Sequence, residues 1–422
     1  MDIFEKLLGD VPIPKFVKVR QNFERPKIEN LEEEITQQLK NKSFLNKVNK
    51  GDKIAITAGS RGIANINRVI KEVVRNIKEV GGEPFIVPAM GSHGGANADG
   101  QIKVLYSLGI TEEFCGAPIR SSMEVVELGK TKNGLPVYID KYANEADGIV
   151  VINRIKPHVG FRGPYESGIV KMITIGLGKQ KGAEVCHQLG FGKMATNLPE
   201  IASVVIEKKN IIFAMGLLEN AYDETYKIVT MNKDEILDLE PMLQAESKRM
   251  TAKIYFDKFD VLIVDEIGKN ITGTGMDTNT IGRYHTPYAT GGPEIKKIVV
   301  LDLTDESHGN GNGIGLADFT TRRFFNKMKF DQTYPNSITS TVQKTIKIPM
   351  VLDTDKLAIQ GAIKTSNLED KTKVKIVRIK NTLKLEYIFI SESLIEEAKA
   401  NPNLEILSEP AELNFDINGN LF

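Results

Sequence analysis

Ionisable side chains stand in small, glycine-rich segments at four places in the sequence. Arg61 stands in AGSRGI, His93 in GSHGGANADGQ, His158 in NRIKPHVGFRGP and Lys269 in DEIGKNITGTGMD. Glycine lets the backbone approach a ligand closely. A guanidinium fork suits a carboxylate, and an imidazole can take and give protons near neutral pH. Each of these segments therefore offers at least one ionisable side chain to a ligand.

The five histidines differ in how strongly their surroundings suggest a function. A single histidine is most often a satisfied surface or loop residue. His93 and His158 lie in glycine-rich loops, and His187 closely follows another, which favours a functional role for these three. His308 lies in SHGNGNGIG, which reads as a flexible turn without a role. His285, in GRYHTPYATGG, is undecided.

Common catalytic and binding motifs do not fit the chain. GFRGPYESGIVK lacks the Gly-Lys-Ser/Thr ending of a phosphate loop, and GLGKQKG lacks the dinucleotide fingerprint. Neither HExxH nor Gly-x-Ser-x-Gly occurs. Cys115 and Cys186 are too few for a cysteine-based zinc or iron–sulfur site. Asp265 and Glu266 are neighbours in a predicted strand, so their carboxylates should point to opposite faces.

The elements around these loops alternate between strands and helices, which predicts an α/β fold with mostly parallel sheets covered by helices. Ligands in such sheets bind at the carboxyl ends of the strands, where the loops above should lie. The predicted strands are 53–59, 84–90, 146–153, 210–218, 259–268, 298–304 and 373–379. The predicted helices are 66–77, 233–254, 316–329 and 391–400.

Length and composition set the domain count and exclude some partners. The chain has 422 residues, enough for two domains, which we place at 1–255 and 256–422 with a hinge and a ligand cleft between them. Lys+Arg and Asp+Glu are 55 each, which argues against a nucleic-acid binder. The segment MDIFEKLLGDVPIPK lacks the pattern of a signal peptide, and no apolar run is long enough for a membrane span. We therefore expect a cytoplasmic protein without a membrane partner.

An ordered set of motifs resembles the lactate racemase superfamily, the nickel-dependent 2-hydroxyacid racemases and epimerases that use a pincer nucleotide. The set runs AGSRG, GSHGGA, KPHVGF, SGIVKMITIGLGKQKG and EVCHQLG. The order Arg, His, His, Lys, His agrees with that family. The resemblance is specific between Thr57 and Gly190, whereas the second half matches only in its α/β character.

The resemblance implies a role for each residue of that set. Lys171 would be joined covalently to the pincer cofactor through a thioamide, and His187 would be the one protein ligand of nickel. His93 and His158 would flank the substrate and exchange its hydroxyl proton, while Arg61 would bind its carboxylate. Two further residues, Ser167 and Gly168, are candidates for the nucleotide phosphate.

The implied chemistry explains why few metal-binding side chains suffice. The C2–H of a 2-hydroxy acid is poorly acidic, so its removal as hydride is easier when a base takes the hydroxyl proton. A tridentate pincer leaves one place for a histidine on square-planar nickel, and separate biosynthesis proteins would supply this cofactor.

Lys269 is the candidate substrate contact from the second domain, with Arg283 and His285 as rivals. The chain has no tryptophan, and its loop between His158 and Lys171 is longer than in lactate racemase itself. Lactate, malate and sugar acids therefore all stay open as substrates.

Two other classes of protein stay open at this point. One is a two-domain α/β dehydrogenase, or a metal-dependent lyase, that binds a free nucleotide. The other is a non-enzymatic cofactor carrier or solute-binding protein. A covalent adduct on Lys171, or stoichiometric binding of NAD, would discriminate between them.

Overall fold

Two units divide the chain in the computed structural model, which describes residues 3–422. One unit comprises residues 24–251, and the other combines residues up to Phe23 with residues 252–422. The sequence-based division at 255/256 differs at the N-terminus, where the first residues join the second unit. They do so because Phe16–Gln21 forms a strand in that unit's sheet.

The strands of residues 3–422 belong to three sheets. They are β1 (Phe16–Gln21), β2 (Lys53–Ala58), β3 (Glu83–Pro88), β4 (Val125–Lys130), β5 (Pro136–Asp140), β6 (Gly148–Arg154), β7 (Ile211–Glu219), β8 (Thr225–Met231), β9 (Lys258–Ile267), β10 (Glu294–Leu303), β11 (Phe319–Thr321), β12 (Met350–Leu352), β13 (Ile376–Ile379), β14 (Tyr387–Ser391) and β15 (Leu404–Ile406).

The α-helices connect these strands, and several are only one turn long. They are α1 (Ile3–Leu8), α2 (Leu31–Asn41), α3 (Ile66–Glu79), α4 (Ala98–Ser107), α5 (Glu112–Cys115), α6 (Lys141–Glu145), α7 (Ile169–Lys171), α8 (Lys179–His187), α9 (Met194–Lys208), α10 (Ile236–Met250), α11 (Thr278–Ile281), α12 (Arg322–Lys327), α13 (Phe330–Ser340), α14 (Asp355–Thr365) and α15 (Ile395–Ala400). A π-helical turn, Met172–Gly176, lies between α7 and α8.

The unit of residues 24–251 is built on a five-stranded sheet in the order β3-β2-β6-β7-β8. The first four of these run parallel, and β8 returns antiparallel to β7. Its strands are rich in Ile, Val and Phe, and β7 is buried along its whole length. Parallel strands bring the loops after β2, β3 and β6 to one edge of the sheet. A separate hairpin pairs β4 with β5.

The unit of residues 252–422 and the N-terminal segment is built on an eight-stranded sheet. Its order is β12-β11-β10-β9-β13-β14-β1-β15. The run from β12 to β13 is parallel, whereas β14, β1 and β15 pair antiparallel. Two hydrophobic clusters cover its faces, one around Phe259 and Phe324 and one around Phe319 and Ile359.

The predicted α/β class is confirmed, and one predicted helix is wrong. Residues 316–329 form strand β11 followed by the short helix α12. The hydroxyls of Thr320 and Thr321 donate hydrogen bonds to carbonyls of β10, and Thr321 then caps α12 by accepting from Phe324 N–H. These contacts hold the segment extended where its apolar spacing resembles a helix. Within residues 3–422, no helix combines the length and apolarity needed to cross a bilayer.

Candidate active site

The loops after β2 and β3 meet through Ser60 and His93. The Ser60 hydroxyl is hydrogen-bonded to Nδ1 of His93. The next residue, Arg61, is solvent-exposed, and its guanidinium makes no hydrogen bond or ion pair within residues 3–422. The guanidinium remains cationic at any physiological pH. Arg61 is therefore a cation available to an anionic ligand beside a histidine.

The loop after β6 carries His158 and is organised by the buried carboxylate of Glu166. Glu166 accepts the backbone N–H of His158 at 2.8 Å and forms ion pairs with Lys248 at 2.5 Å and Arg162 at 3.4 Å. The N–H of Gly160 donates to Nδ1 of His158 at 3.0 Å. Because Nδ1 accepts this hydrogen bond, the neutral His158 ring carries its proton on Nε2.

Lys171 ends the short helix α7 and is largely buried without a partner. In the part of the chain that the structure describes, its ammonium group makes no hydrogen bond or ion pair. Desolvation, together with the charges of Lys156 and Arg61, lowers the pKa of Lys171 to about 8. Unpaired buried charges are costly, and strongly perturbed pKa values gather at functional sites. Lys171 thus offers a partly neutral, nucleophilic amine at neutral pH.

His187, the last residue of α8, presents a neutral ring. Desolvation and the charge of Lys171 lower the pKa of His187 to about 4, so the imidazole is uncharged at physiological pH. Its Nδ1 atom is buried and has no hydrogen-bond partner within residues 3–422. A neutral imidazole nitrogen is a common ligand of transition metals. Next to it, burial raises the pKa of the Cys186 thiol to about 12, which makes that thiol inert.

A continuous chain of contacts and charges links these side chains within the unit of residues 24–251. The ring of Phe191 lies 5.6 Å from that of His187 and 6.1 Å from that of His158, between centroids. Lys171 acts electrostatically on His187, and Arg61 acts on Lys171. The Arg61 loop in turn contacts His93 through Ser60. The geometry therefore gathers at one sheet edge all five residues that the sequence singled out in this unit, Arg61, His93, His158, Lys171 and His187.

A metal bound near these side chains would need more ligands than residues 3–422 bring together there. Among residues 3–422, no group of three or more His, Cys, Asp and Glu side chains is arranged to hold a metal ion. A single neutral histidine with an unpartnered nitrogen, next to an unpaired lysine, nevertheless fits a cofactor that brings its own donor atoms. The residues present are consistent with a tethered metal cofactor and not with a metal held by side chains alone.

The comparison with protein families identifies the chain's relatives. A family model described as the lactate racemase N-terminal domain matches residues 6–217. The chain belongs to the lactate racemase family. A solved structure, that of the lactate racemase apoprotein from Thermoanaerobacterium thermosaccharolyticum, covers 88% of this chain and 99% of its own with a TM-score of 0.51. It is 13% identical in sequence, so it supports the fold. No curated protein matches this chain significantly.

Ser167 and Gly168 have structural roles in this family member besides any contact with phosphate. The backbone carbonyl of Ser167 accepts the N–H of Lys156 at 2.8 Å. A Cβ at Gly168 would overlap Oε1 of Glu240, so glycine is needed there for packing. Burial raises the pKa of Glu240 to about 8, and its Oε2 accepts the Val170 N–H at 2.8 Å. Gly168 therefore presents its Cα to a protonated carboxyl group.

The three candidate substrate-binding residues of the second unit differ in the contacts that they make within that unit. Lys269 donates from Nζ to the carbonyl of Gly273 at 2.7 Å, inside its own loop. Arg283 forms an ion pair with Asp318 at 2.7 Å, which gives it a structural role. His285 is buried, and desolvation lowers its pKa to about 4. The contact of Lys269 with substrate stays a prediction.

Sequence reasoning missed three residues that shape the site in this family member. Glu166 anchors the His158 loop, Ser60 contacts His93, and Phe191 packs against two histidine rings. Ser60 precedes Arg61 and Glu166 precedes Ser167, so proximity to the chosen residues was the available signal. Phe191 gave no such signal, because its contacts depend on how α8 returns towards the His158 loop.

Proposed function

We propose that this protein is a racemase or epimerase of a 2-hydroxy acid that uses a nickel pincer nucleotide tethered covalently at Lys171. The observation that carries the proposal is the unpaired, largely buried Lys171 among the other four side chains, in a chain of the lactate racemase family. A dehydrogenase that binds free NAD gives no reason for a lysine without a partner at this place.

Two residues would hold the cofactor. The partly neutral amine of Lys171 would form the thioamide, and Nδ1 of His187 would complete the coordination of nickel. The bound cofactor would supply the hydride chemistry at C2 of the substrate.

Three residues would handle the substrate. Arg61 would bind the carboxylate through its planar fork. In the resting arrangement, His93 can hold its own proton at Nδ1 against the Ser60 oxygen and accept the hydroxyl proton at Nε2. His158, whose Nδ1 already accepts a hydrogen bond, would donate from Nε2 to the substrate oxygen. For the opposite enantiomer these roles would exchange, which requires the His158 proton to move to Nδ1 and the Gly160 N–H to release that atom.

The proposal also includes a substrate contact from the other unit and a source for the cofactor. Lys269 would bind the far end of the substrate, and separate biosynthesis proteins would load the cofactor in the cytoplasm. The substrate class is a small 2-hydroxy acid, with lactate, malate and sugar acids as the acids to be assayed first.

The decisive test combines intact mass with an isotope label. Protein co-expressed with cofactor-making proteins should carry a mass adduct, and Lys171→Arg should fold but lack it. Lys209→Arg, at a lysine hydrogen-bonded to Asn144, is the matched control and should keep the adduct. With C2-deuterated substrate in ordinary water, the inverted product should keep most of its deuterium without added NAD. Rapid exchange of the label, or net formation of keto acid with NAD, would contradict the proposal.

The two histidines give a second test. His93→Ala and His158→Ala should each lower turnover in both directions by roughly 10²–10⁴-fold, the usual contribution of an acid–base group. His308→Ala should have no effect, because that residue lies in a turn of the other unit. Normal racemisation in both single variants of the first pair would refute their assigned roles.

A further inference from the structure

Lys179 is a fully buried lysine that the proposed chemistry does not use. It lies in the GLGKQKG segment, with 0% exposure. Its Nζ donates to the carbonyl of Pro88 at 2.6 Å and to Oε1 of Gln101 at 2.7 Å. It also lies 3.3 Å from Oδ2 of Asp140, in an ion pair whose geometry falls short of a hydrogen bond. Three acceptors thus surround the three N–H donors of one ammonium group.

Gln101 extends this network to the His93 loop. The side chain of Gln101, in α4, is also fully buried. Its Nε2 donates to the carbonyl of Gly91 at 3.0 Å and to the carbonyl of His93 at 3.2 Å. Lys179 therefore holds the end of β3 directly, through Pro88, and holds the backbone of His93 through Gln101.

The same lysine begins the helix that carries the proposed nickel ligand. Lys179 is the first residue of α8, and His187 is the last. Its backbone has a φ of +53°, a left-handed conformation that glycine or asparagine adopts more easily and that is strained for lysine. A buried ion pair is also often replaceable by apolar residues without loss of stability. Neither the strain nor the buried charge is explained by stability alone.

We propose that Lys179 and Gln101 are positioning residues that fix the His93 loop relative to the start of α8, and thereby set the distance between the proton-transferring His93 and the proposed metal ligand His187. This role rests on the proposed function only for what the two histidines do. The hydrogen bonds that connect Lys179 and Gln101 to the His93 loop, called the tie below, are a property of the apoprotein. Close packing supports it, since Gly91 N–H donates to the carbonyl of Gly176 at 3.3 Å.

The test uses separate variants for Gln101 and for Lys179. Gln101→Glu keeps an oxygen acceptor for Lys179 but removes the N–H donors that hold Gly91 and His93. Lys179→Met removes the ammonium group and keeps much of the side-chain volume. Gln244→Met is the matched control, because Gln244 is equally buried in the same unit and both of its amide atoms lack partners within residues 3–422.

In the apoprotein, Gln101→Glu should speed amide hydrogen exchange of residues 89–97 and shift the ¹⁵N signals of the His93 ring. The Gln244 control should change neither. In the loaded enzyme, Gln101→Glu should lower kcat by about 10²-fold, the order expected from a misplacement near 1 Å. KM, nickel content and the Lys171 adduct should stay as in the wild type, since the groups that bind substrate and cofactor are intact. A simple loss of folded protein would instead lower adduct, nickel and kcat together.

Each outcome decides the matter. If exchange of residues 89–97 and the His93 signals are unchanged in Gln101→Glu, the tie is refuted, even where Lys179→Met fails to fold. An altered loop with an unchanged kcat would refute the positioning role. If the wild type itself does not racemise any 2-hydroxy acid, the proposed function fails, while the measurements on the apoprotein still decide whether Lys179 and Gln101 hold His93.

Discussion

Replacing Lys171 by methionine should stabilise the apoprotein at neutral pH, although it should abolish cofactor attachment. Methionine matches the length of the lysine stem and needs no hydration. Burial and neighbouring cations lower the pKa of Lys171 from 10.5 to about 8. One pKa unit corresponds to about 1.4 kcal/mol, so the charged form is disfavoured in the folded state by up to ~3 kcal/mol. We expect Lys171→Met to gain about 1–3 kcal/mol at pH 7.

The predicted stability difference between Lys171→Met and the wild type depends on pH. The pKa of Lys171 is 10.5 in the unfolded chain and about 8 in the folded chain. Between these two pH values, the unfolded chain therefore binds more protons at this lysine than the folded chain does. The free energy of unfolding of the wild type therefore rises with pH through this window. The methionine variant lacks this rise, so its advantage is full below pH 8 and disappears above pH 10.5.

The assay is urea-induced unfolding of the apoprotein at pH 7 and pH 10, with hydrogen exchange used to assign the transition of residues 24–251. Lys179→Met is the control of opposite sign. That lysine has three acceptors, and breaking a buried ion pair costs about 3–5 kcal/mol. A Lys171→Met variant that is no more stable than the wild type at pH 7, or whose gain persists at pH 10, would refute the assignment of Lys171 as an unpaired buried cation.

Three further predictions concern the other titratable groups of the site. Burial raises the pKa of Glu240 from 4.5 to about 8, so the stability of the wild type should fall as pH rises between these values. In urea titrations, Glu240→Gln should therefore raise the free energy of unfolding by at least ~1 kcal/mol at pH 8 and should leave it unchanged at pH 4. In ¹⁵N-histidine spectra of the apoprotein, the neutral form of the His158 ring should carry its proton on Nε2, because Gly160 N–H donates to Nδ1; a proton on Nδ1 would contradict this. His187→Ala should lose nickel but keep the mass adduct on Lys171, as measured by metal analysis and intact mass, and a normal nickel content would point to another ligand.

Local sequence patterns predict the elements that position the site, because the apolar character of those elements is visible in consecutive residues. β2, β6 and β7 are apolar runs in a buried parallel sheet, and such runs are recognisable without their neighbours. β1 was not predicted, because it exists only by pairing with β14 and β15 from the far end of the chain. The three-residue strand β11 likewise depends on β10 and β12. Their pairing is set by tertiary contacts and not by local propensity.

The two lysines of the SGIVKMITIGLGKQKG segment show where sequence reasoning about the site must stop. Lys179 is fully buried and Lys171 is partly buried, and both stand beside small and apolar residues in the same short stretch. Three acceptors from β3, β5 and α4 surround Lys179, whereas no described residue accepts a hydrogen bond from Lys171. None of those acceptors is a sequence neighbour, so only the fold separates the two. An ammonium group without an acceptor leaves room for a partner from outside the chain, whereas an ammonium group with two hydrogen bonds and an ion pair has a fixed geometry. The lysine that we propose as the cofactor attachment site is thus distinguished from Lys179 by the contacts it lacks.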